Sequence, residues 1–323
     1  MTYLIDETAV YRRPDGVVRV SGPDRLGYLH VMLSQHLETA RPGAVADFCY
    51  LDPKGNALAA GRAVVHAEHV FLVTPIQVAT DLAAALEKFK FLMQVEAVDC
   101  SGDWAVASVR GPGQVDVPGA PPQLGGSGGA PPQLRGSGGA PPQLMAAAPR
   151  GEGLVIRDRD GGVDLVGPRS WVDERVADLE LPEALASDWE AYRISAGLPG
   201  WGTEIVPGRR AQELGLLPTH VHLRKGCYPG QESIAKIYNL GRPRRALAVI
   251  EAAGEIAPGD RVDAGGKAGE VTSAAALGPT WVGLALLPVD REGRIGGGGD
   301  LTVGGVPARV RQRVAEGIPQ PGA

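Results

Sequence analysis

Lys225-Gly226-Cys227-Tyr228-Pro229-Gly230-Gln231-Glu232 is the most informative segment of this 323-residue chain. It places one cysteine between two glycines and two residues after a lysine, and an amide and a carboxylate follow within five residues. Glycines allow a backbone and a neighbouring group to approach closely, and a nearby cation favours thiolate over thiol. The segment therefore predicts a cysteine that is presented to other molecules.

Two plainer interpretations of Cys227 stay open at this point. It could be a half-buried structural thiol, or the glycines could serve only the shape of a turn. In either case we expect Gln231 and Glu232 to order the loop by hydrogen bonding to it. Tyr228 and Gly230 belong to the same motif.

Composition limits the class of protein. The chain carries 32 basic and 37 acidic residues, a formal charge of −5, so it lacks the basic footprint of a nucleic-acid binder. The chain has three cysteines, Cys49, Cys100 and Cys227. A small, odd number of cysteines is not a disulfide framework and indicates a reducing compartment. No window reaches the ~18–20 apolar residues of a membrane span. We predict a soluble cytoplasmic protein that has no membrane partner and no direct nucleic-acid partner.

Periodicity predicts two structural units. Up to residue 245, strand-like runs alternate with helices, among them an amphipathic helix from Pro75 to Met93. After residue 245, short β-like runs separated by glycine- and aspartate-containing turns are typical of a small antiparallel barrel. We assign residues 1–245 to a core and residues 246–316 to the barrel.

Within the core, the sequence Gly-Ala-Pro-Pro-Gln-Leu occurs three times, beginning at residues 119, 129 and 139. Each copy has one large apolar side chain and no strand or helix pattern, so it cannot bury enough surface to offset the entropy of ordering. We predict that residues 118–148 form a flexible insertion. A proline-rich recognition element is the alternative.

The central motif is one member of an ordered set that resembles the YgfZ-type folate-binding proteins, relatives of the aminomethyltransferase (T-protein) of glycine cleavage. The other matching segments are Trp189–Pro199, Gly202-Thr203-Glu204, Glu213–Leu216, Ser233–Lys236, Asn239–Arg245, Val20–Arg25, Leu51–Gly55 and Gly269–Ser273. The resemblance covers nearly the whole chain except the repeats. It implies an α+β fold, with an aminomethyltransferase-like folate-binding core of mixed sheets and helices and a small C-terminal β-barrel.

The same resemblance implies a function in the assembly or maintenance of iron–sulfur proteins, including enzymes that modify tRNA. The expected cofactor is tetrahydrofolate or another reduced folate, and the expected partners are iron–sulfur client or assembly proteins. Cys227 is the signature cysteine of the family. We expect it to act through a redox step or a transient contact with a cluster or client.

The resemblance also implies a folate site. Glu204 stands where relatives place a carboxylate that faces the pterin, whose ring N–H and exocyclic amine one carboxylate can accept together. Arg242, Arg244 and Arg245, after an expected strand and turn, could meet the anionic glutamyl tail. The alternatives are a solvated loop glutamate and ordinary surface arginines, and the basic segment could also contact RNA.

His220 and His222 alternate on a possible strand, so both would face one side, and with Cys227 they form a conceivable metal set. Three candidate ligands in a loop without a fourth partner are common by chance, so we predict no metal site.

Two classes of function compete. Aminomethyltransferases carry a catalytic aspartate in an acidic pair near a Gly-Gly turn, but Ala59 and Ala60 occupy the corresponding positions here. Loss of general acid–base help typically costs ~10²–10⁴-fold in rate. Asp47 and Asp52 lie nearby and could substitute. The sequence favours a folate-binding accessory protein without conventional turnover, and the alternative is a tetrahydrofolate-dependent one-carbon transferase.

Overall fold

The computed structural model describes residues 4–122, 145–240, 243–290 and 301–314. Over these ranges the chain forms two five-stranded sheets, a closed six-stranded barrel and six helices. This architecture confirms the predicted α+β class with a C-terminal barrel. The division into units 1–245 and 246–316 stays a prediction.

The first sheet is antiparallel and has the order β3-β4-β5-β2-β6. Its strands are β2 (Asp15–Ser21), β3 (Val45–Leu51), β4 (Ala57–Val65), β5 (His69–Pro75) and β6 (Glu96–Asp99). Helices α1 (Arg25–Met32) and α2 (Ile76–Lys88) pack on one face through a core cluster that includes Tyr28, Leu82 and Leu86. Helix α2 ends five residues before Met93, and the apolar side chains of Phe91 and Leu92 beyond it are exposed.

The second sheet has the order β1-β7-β10-β9-β8. Its strands are β1 (Ala9–Arg13), β7 (Trp104–Arg110), β8 (Ala146–Arg150), β9 (Gly153–Arg157) and β10 (Val163–Pro168). Helix α3 (Arg169–Asp178) covers its outer face through Val172 and Val176. The inner faces of the two sheets pack against each other through aliphatic residues such as Val64, Val73 and Ile156. The core is therefore layered helix, sheet, sheet, helix.

Strand β8 corrects the predicted limits of the insertion. Met145 and Ala147 are buried between the two sheets, and Ala146–Arg150 pairs with β9. The alanine-rich sequence has no strand signature, so only tertiary packing identifies the strand. Residues 118–122 are also described, and Ala120 packs on the second sheet. Within the predicted insertion, residues 123–144 lie outside the described residues.

The barrel closes in the order β11-β14-β13-β12-β15-β16. Its strands are β11 (Arg245–Ala252), β12 (Arg261–Ala264), β13 (Lys267–Leu277), β14 (Thr280–Pro288), β15 (Leu301–Val303) and β16 (Val306–Arg313). Helix α4 (Ala186–Ser195) lies against β13 and β14, and its Ile194 packs with Leu247 and Leu284. Helix α4 thus connects the core to the barrel.

Two short helices flank the central motif. Helix α5 (Leu217–His220) precedes it and α6 (Gln231–Leu240) follows it. The predicted strand containing His220 and His222 is wrong, because His220 ends α5 and His222 lies in the loop after it. The arginines near residue 244 follow helix α6, which contradicts the expected strand at that place. The segment that was expected to be a strand is helix α6, in which Ile234 is buried.

Candidate functional site

The loop that carries Cys227 runs from the end of α5 to the start of α6. Cys227 is exposed and is not in a disulfide, whereas Cys49 is buried and Cys100 is half-buried. Burial raises the pKa of the Cys49 thiol to about 12 and also raises the pKa of Cys100. Only Cys227 is therefore placed to meet another molecule, which is the presentation that the motif predicts.

Lys225 turns away from solvent. Its side chain is buried, its Nζ donates a hydrogen bond to the His30 carbonyl, and it lies 4.8 Å from the centre of the Tyr228 ring. Burial lowers the pKa of Lys225 to about 8, although Cys227 and Glu38 act in the opposite direction. Lys225 therefore attaches the loop to helix α1 and also places a cation near Cys227.

The two glycines of the motif have different roles. Gly230 has a φ of +79°, and a Cβ there would lie 2.6 Å from the Asp52 carbonyl oxygen, so only glycine fits against this turn. A Cβ on Gly226 would meet only His30 Nε2, at an ordinary 3.7 Å. The close backbone approach in this motif is therefore between Gly230 and the turn at Asp52, and not at Gly226.

Gln231 and Glu232 form the first turn of α6. The Gln231 backbone N–H donates to the Tyr228 carbonyl at 3.2 Å, and Glu232 is exposed where the helix N-terminus favours negative charge. Their predicted role in ordering the loop through their side chains stays a prediction.

Glu204 is enclosed by protein groups, and its predicted role as a pterin ligand stays a prediction. Its side chain has 0% exposure, and Oε2 accepts hydrogen bonds from Arg193 Nη1 (3.1 Å), Gly200 N (2.8 Å) and Thr203 Oγ1 (2.9 Å). Oε1 accepts one from Ser273 Oγ at 2.6 Å. Burial opposes ionisation, but these donors hold the pKa of Glu204 below its usual value. The carboxylate joins the core to the barrel because its partners include Arg193 on helix α4 and Ser273 on strand β13.

The predicted arginine cluster is only partly described. Arg244 and Arg245 are exposed at the start of β11, and Arg242 lies outside the described residues. No contact joins Arg244 or Arg245 to Glu204 among the described residues. The predicted grouping of Glu204 with these arginines stays a prediction.

A second charged group occurs where the two sheets meet α4, and the sequence reading missed it. Arg62 on β4 contacts Asp164 on β10 at 2.7 Å and Asp158 at 3.0 Å. Arg110 on β7 contacts the same two carboxylates at 2.8 and 2.9 Å. Arg159 contacts Asp47 on β3 at 2.6 Å. We call these six residues the central ion network. Charged residues inside otherwise apolar strands are the only sequence signal that could have indicated it.

The network reaches solvent at one side. Asp160 adjoins the network, 3.4 Å from Arg110, and its side chain is 43% exposed. The Arg159 side chain is 30% exposed, whereas those of Arg110 and Asp164 are nearly enclosed. Asp160 accepts a hydrogen bond from Tyr192 of helix α4. Guanidinium donors and carboxylate acceptors are therefore held together at a partly exposed position in the middle of the core.

The positions that correspond to the acidic pair of aminomethyltransferases lie in apolar surroundings that disfavour a carboxylate. Ala59 and Ala60 lie on β4 opposite Tyr50 and Cys49, and both alanines are buried in apolar clusters. Asp52 uses its carboxylate to accept the backbone N–H groups of Lys54 and Asn56 in the adjacent turn.

Asp47 is the other nearby carboxylate. Burial opposes its ionisation, but Arg159, His220 and Arg62 hold the pKa of Asp47 below its ordinary value. A carboxylate held ionised in salt bridges has no proton to give at neutral pH.

No group of three histidine, cysteine, aspartate or glutamate side chains among the described residues is arranged to hold a metal ion. The conceivable set of His220, His222 and Cys227 does not form such a group.

Comparison with a solved structure identifies the fold. Aminomethyltransferase T of the glycine cleavage system from Bartonella henselae matches with a TM-score of 0.71, covering 94% of this chain and 85% of that chain. Sequence identity is 17%, so this match shows the fold. The chain thus has the aminomethyltransferase fold that its motifs predict. No protein-family model matches the sequence.

Curated relatives narrow the relationship. An iron–sulfur cluster assembly factor IBA57 homolog, named mitochondrial, from Cryptococcus neoformans is 26% identical over 244 residues, or 72% of this chain and 62% of the relative. A putative chloroplastic transferase from Arabidopsis thaliana is 26% identical over 263 residues, or 80% of this chain and 59% of the relative. The chain therefore spans about three fifths of their lengths. With the fold, these relatives confirm the resemblance to YgfZ-type proteins.

The predicted cytoplasmic location is wrong, because these relatives are named mitochondrial or chloroplastic. Sparse cysteines indicate only a reducing compartment, and an organelle interior can also meet that condition. Within the described residues, no helix has both the length and the apolar character needed to cross a bilayer.

Proposed function

We propose that this protein is a folate-binding accessory factor for the assembly or maintenance of iron–sulfur proteins. The observation that carries the proposal is the exposed, free Cys227, held by a loop that is anchored on both sides. An accessory factor must act on large partners, so its working group has to stand at the surface. Relatives named as iron–sulfur cluster assembly factors support this reading.

Cys227 is the residue that meets the client or assembly partner in this proposal. Its neighbours support a precise placement of the thiol, because Lys225 is fixed to the His30 carbonyl and Gly230 is fixed to the turn at Asp52. The buried Cys49 and half-buried Cys100 are unsuited to the same task. The clients that we infer include iron–sulfur enzymes that modify tRNA.

The folate site in this proposal lies at the open side of the central ion network. Glu204 does not suit a pterin, since its carboxylate is enclosed and fully partnered. Asp160 offers a partly exposed carboxylate for the ring N–H and amine of a reduced pterin, and Arg159 offers donors for its carbonyl or for an anionic tail. Arg242, Arg244 and Arg245 remain candidates for the tail.

A tetrahydrofolate titration tests this site. We expect saturable binding to the wild type and about tenfold weaker binding for Asp160→Asn, because a hydrogen bond to a charged group contributes about 1.5–3 kcal/mol. Asp178→Asn, at an exposed ion pair on helix α3, should leave the affinity unchanged. Absence of saturable binding to the wild type would rule out the folate part of the proposal.

Complementation tests the role of the thiol. Cells that lack this protein should lose activity of iron–sulfur enzymes, and the wild-type chain should restore it. Cys227→Ser should fail to restore it, whereas Cys100→Ser should succeed. Full rescue by Cys227→Ser would remove Cys227 from the mechanism.

One-carbon transfer is disfavoured by the buried Ala59 and Ala60 and by the locked carboxylate of Asp47. An assay for methylene-tetrahydrofolate formation from an aminomethyl donor distinguishes the two classes. Robust turnover by the purified protein would establish the transferase instead.

A further inference from the structure

Three imidazole rings contact one another beside the Cys227 loop, and the proposed function leaves them without a role. The ring centres of His30 and His36 are 4.7 Å apart in an edge-on arrangement, and those of His36 and His222 are 5.3 Å apart. His30 belongs to α1, His36 to the segment after α1, and His222 to the loop that leads into the motif. We call these three residues the histidine cluster.

The cluster is part of the attachment of the loop to α1. The His222 backbone N–H donates to the Ser34 carbonyl at 2.9 Å, and Lys225 Nζ donates to the His30 carbonyl. Gly226 stands directly against the His30 ring, because a Cβ there would lie 3.7 Å from Nε2. The loop therefore cannot move away from α1 without separating these rings.

The surroundings of the cluster disfavour positive charge. The loop contributes the cations Arg224 and Lys225, and the segment after α1 contributes one carboxylate, Glu38. The loop also places the Cys227 thiol and the Tyr228 ring near Lys225. Like charges at ring-contact distance repel strongly in partly buried surroundings.

Burial and the nearby cations lower the pKa of His30 and of His222. Nδ1 of His222 is buried and has no hydrogen-bond partner among the described residues. Protonation of His222 is therefore opposed by burial and by the neighbouring charges, while a hydrogen bond to its own backbone acts in the opposite direction.

We propose that the histidine cluster positions Cys227 by holding the loop of residues 222–228 on helix α1 while its imidazoles are neutral, and that protonation of the cluster releases the loop. Histidine is suited to this task because its ordinary pKa is about 6.5. The inference rests on the proposed function, which assigns Cys227 the contact with the partner. Loop release itself is a property of the purified protein and can be measured without any client.

Amide hydrogen exchange of the full chain tests the release. Exchange of a peptide covering residues 221–230, corrected for the intrinsic effect of pH, is compared with that of strand β14. We expect the opening constant of the loop to rise about tenfold or more from about pH 7.5 to about pH 5.5, while β14 stays protected. A constant ratio between the loop and β14 over this range would overturn the inference.

Variants separate this device from general acid sensitivity. The double variant His36→Asn, His222→Asn removes two of the three ionisable rings, so its loop exchange should lose most of its dependence on pH. His66→Asn, on the turn between β4 and β5, is the matched control and should keep the wild-type profile. An unchanged profile in the double variant would refute the inference. If the double variant fails to fold, the pH dependence of loop exchange in His222→Gln, compared with that of the wild type, tests the same inference.

The two proposals can fail separately. Rescue of iron–sulfur enzymes by Cys227→Ser together with a pH-dependent loop would refute the role of the thiol and leave the release intact. A pH-independent loop with no rescue by Cys227→Ser would do the reverse.

Discussion

Arg193 and Glu204 form a buried salt bridge, with 3.1 Å between Nη1 and Oε2, and both side chains hydrogen-bond Ser273 of the barrel. Ser273 Oγ accepts from Arg193 Nη2 at 2.8 Å and donates to Glu204 Oε1 at 2.6 Å. One charged pair therefore connects helix α4, the loop around residue 204 and strand β13. This contact gives Glu204 a structural role that its sequence position did not reveal.

We expect Glu204→Ala to lower the free energy of unfolding by about 3 kcal/mol, because it leaves a buried guanidinium without its main buried partner. Urea denaturation monitored by circular dichroism measures the change. Glu190→Gln is the control, since the Glu190 side chain is 46% exposed and its ion pair with Arg193 should contribute at most about 1 kcal/mol. Equal effects of the two substitutions would contradict this assignment.

The two motif glycines should respond differently to alanine. Gly230→Ala places a Cβ 2.6 Å from the Asp52 carbonyl in a left-handed conformation, so we expect a loss of about 2 kcal/mol or more in stability. Gly226→Ala meets only ordinary contact and should be within about 0.5 kcal/mol of the wild type. Thermal denaturation of both variants checks this, and a tolerated Gly230→Ala would show that the turn can move.

Thiol labelling should be selective for one cysteine. In the native protein at about pH 7.5, a small alkylating reagent should modify Cys227 first, Cys100 slowly, and Cys49 only after unfolding. The raised pKa of Cys49, about 12, and its complete burial both oppose its reaction. Mass spectrometry of the digested protein identifies the modified residue. Rapid labelling of Cys49 would indicate local opening of β3.

Acid should destabilise the protein through His220. Burial lowers the pKa of His220 to about 4, below the ordinary histidine value of about 6.5. The unfolded chain therefore binds the proton first, so the contribution of this group is complete above about pH 6.5 and is lost as pH falls towards 4. The loss amounts to at most about 3 kcal/mol. Urea midpoints of the wild type and of His220→Gln should converge as the pH falls through this window, and parallel profiles would exclude His220.

The limits of the insertion can be tested by deletion. Replacing residues 123–144 with a short Gly-Ser linker should leave the melting temperature nearly unchanged. Extending the replacement over residues 118–148 removes Met145 and Ala147 from the space between the sheets. Deletion of buried aliphatic groups costs about 2–5 kcal/mol each for large side chains, so the longer replacement should clearly destabilise the fold. Equal melting temperatures would mean that β8 contributes little to stability.

Local patterns predicted most of the elements. Alternation of apolar residues indicated the strands, and three- and four-residue spacing indicated α2 because that helix buries a single face, through residues such as Val78 and Leu82. Such patterns failed where packing decided the outcome. Ala146–Arg150 is a strand because it pairs with β9 at the edge of the second sheet, and Gln231–Leu240 is a helix where a strand was expected.

Residue identities along the chain were enough to predict the α+β class, the cysteine between glycines at residue 227 and the lack of an acid at positions 59 and 60, because motifs and periodicity can be recognised without the fold. The partners of the charged side chains emerge only once the chain is folded. Glu204 and Arg193 are 11 residues apart, while Arg62 and Asp164 are 102 apart, and no local pattern encodes which charges meet. Long-range folding brought them together, turned Glu204 from an expected ligand into a buried link, and placed three histidines beside the cysteine loop.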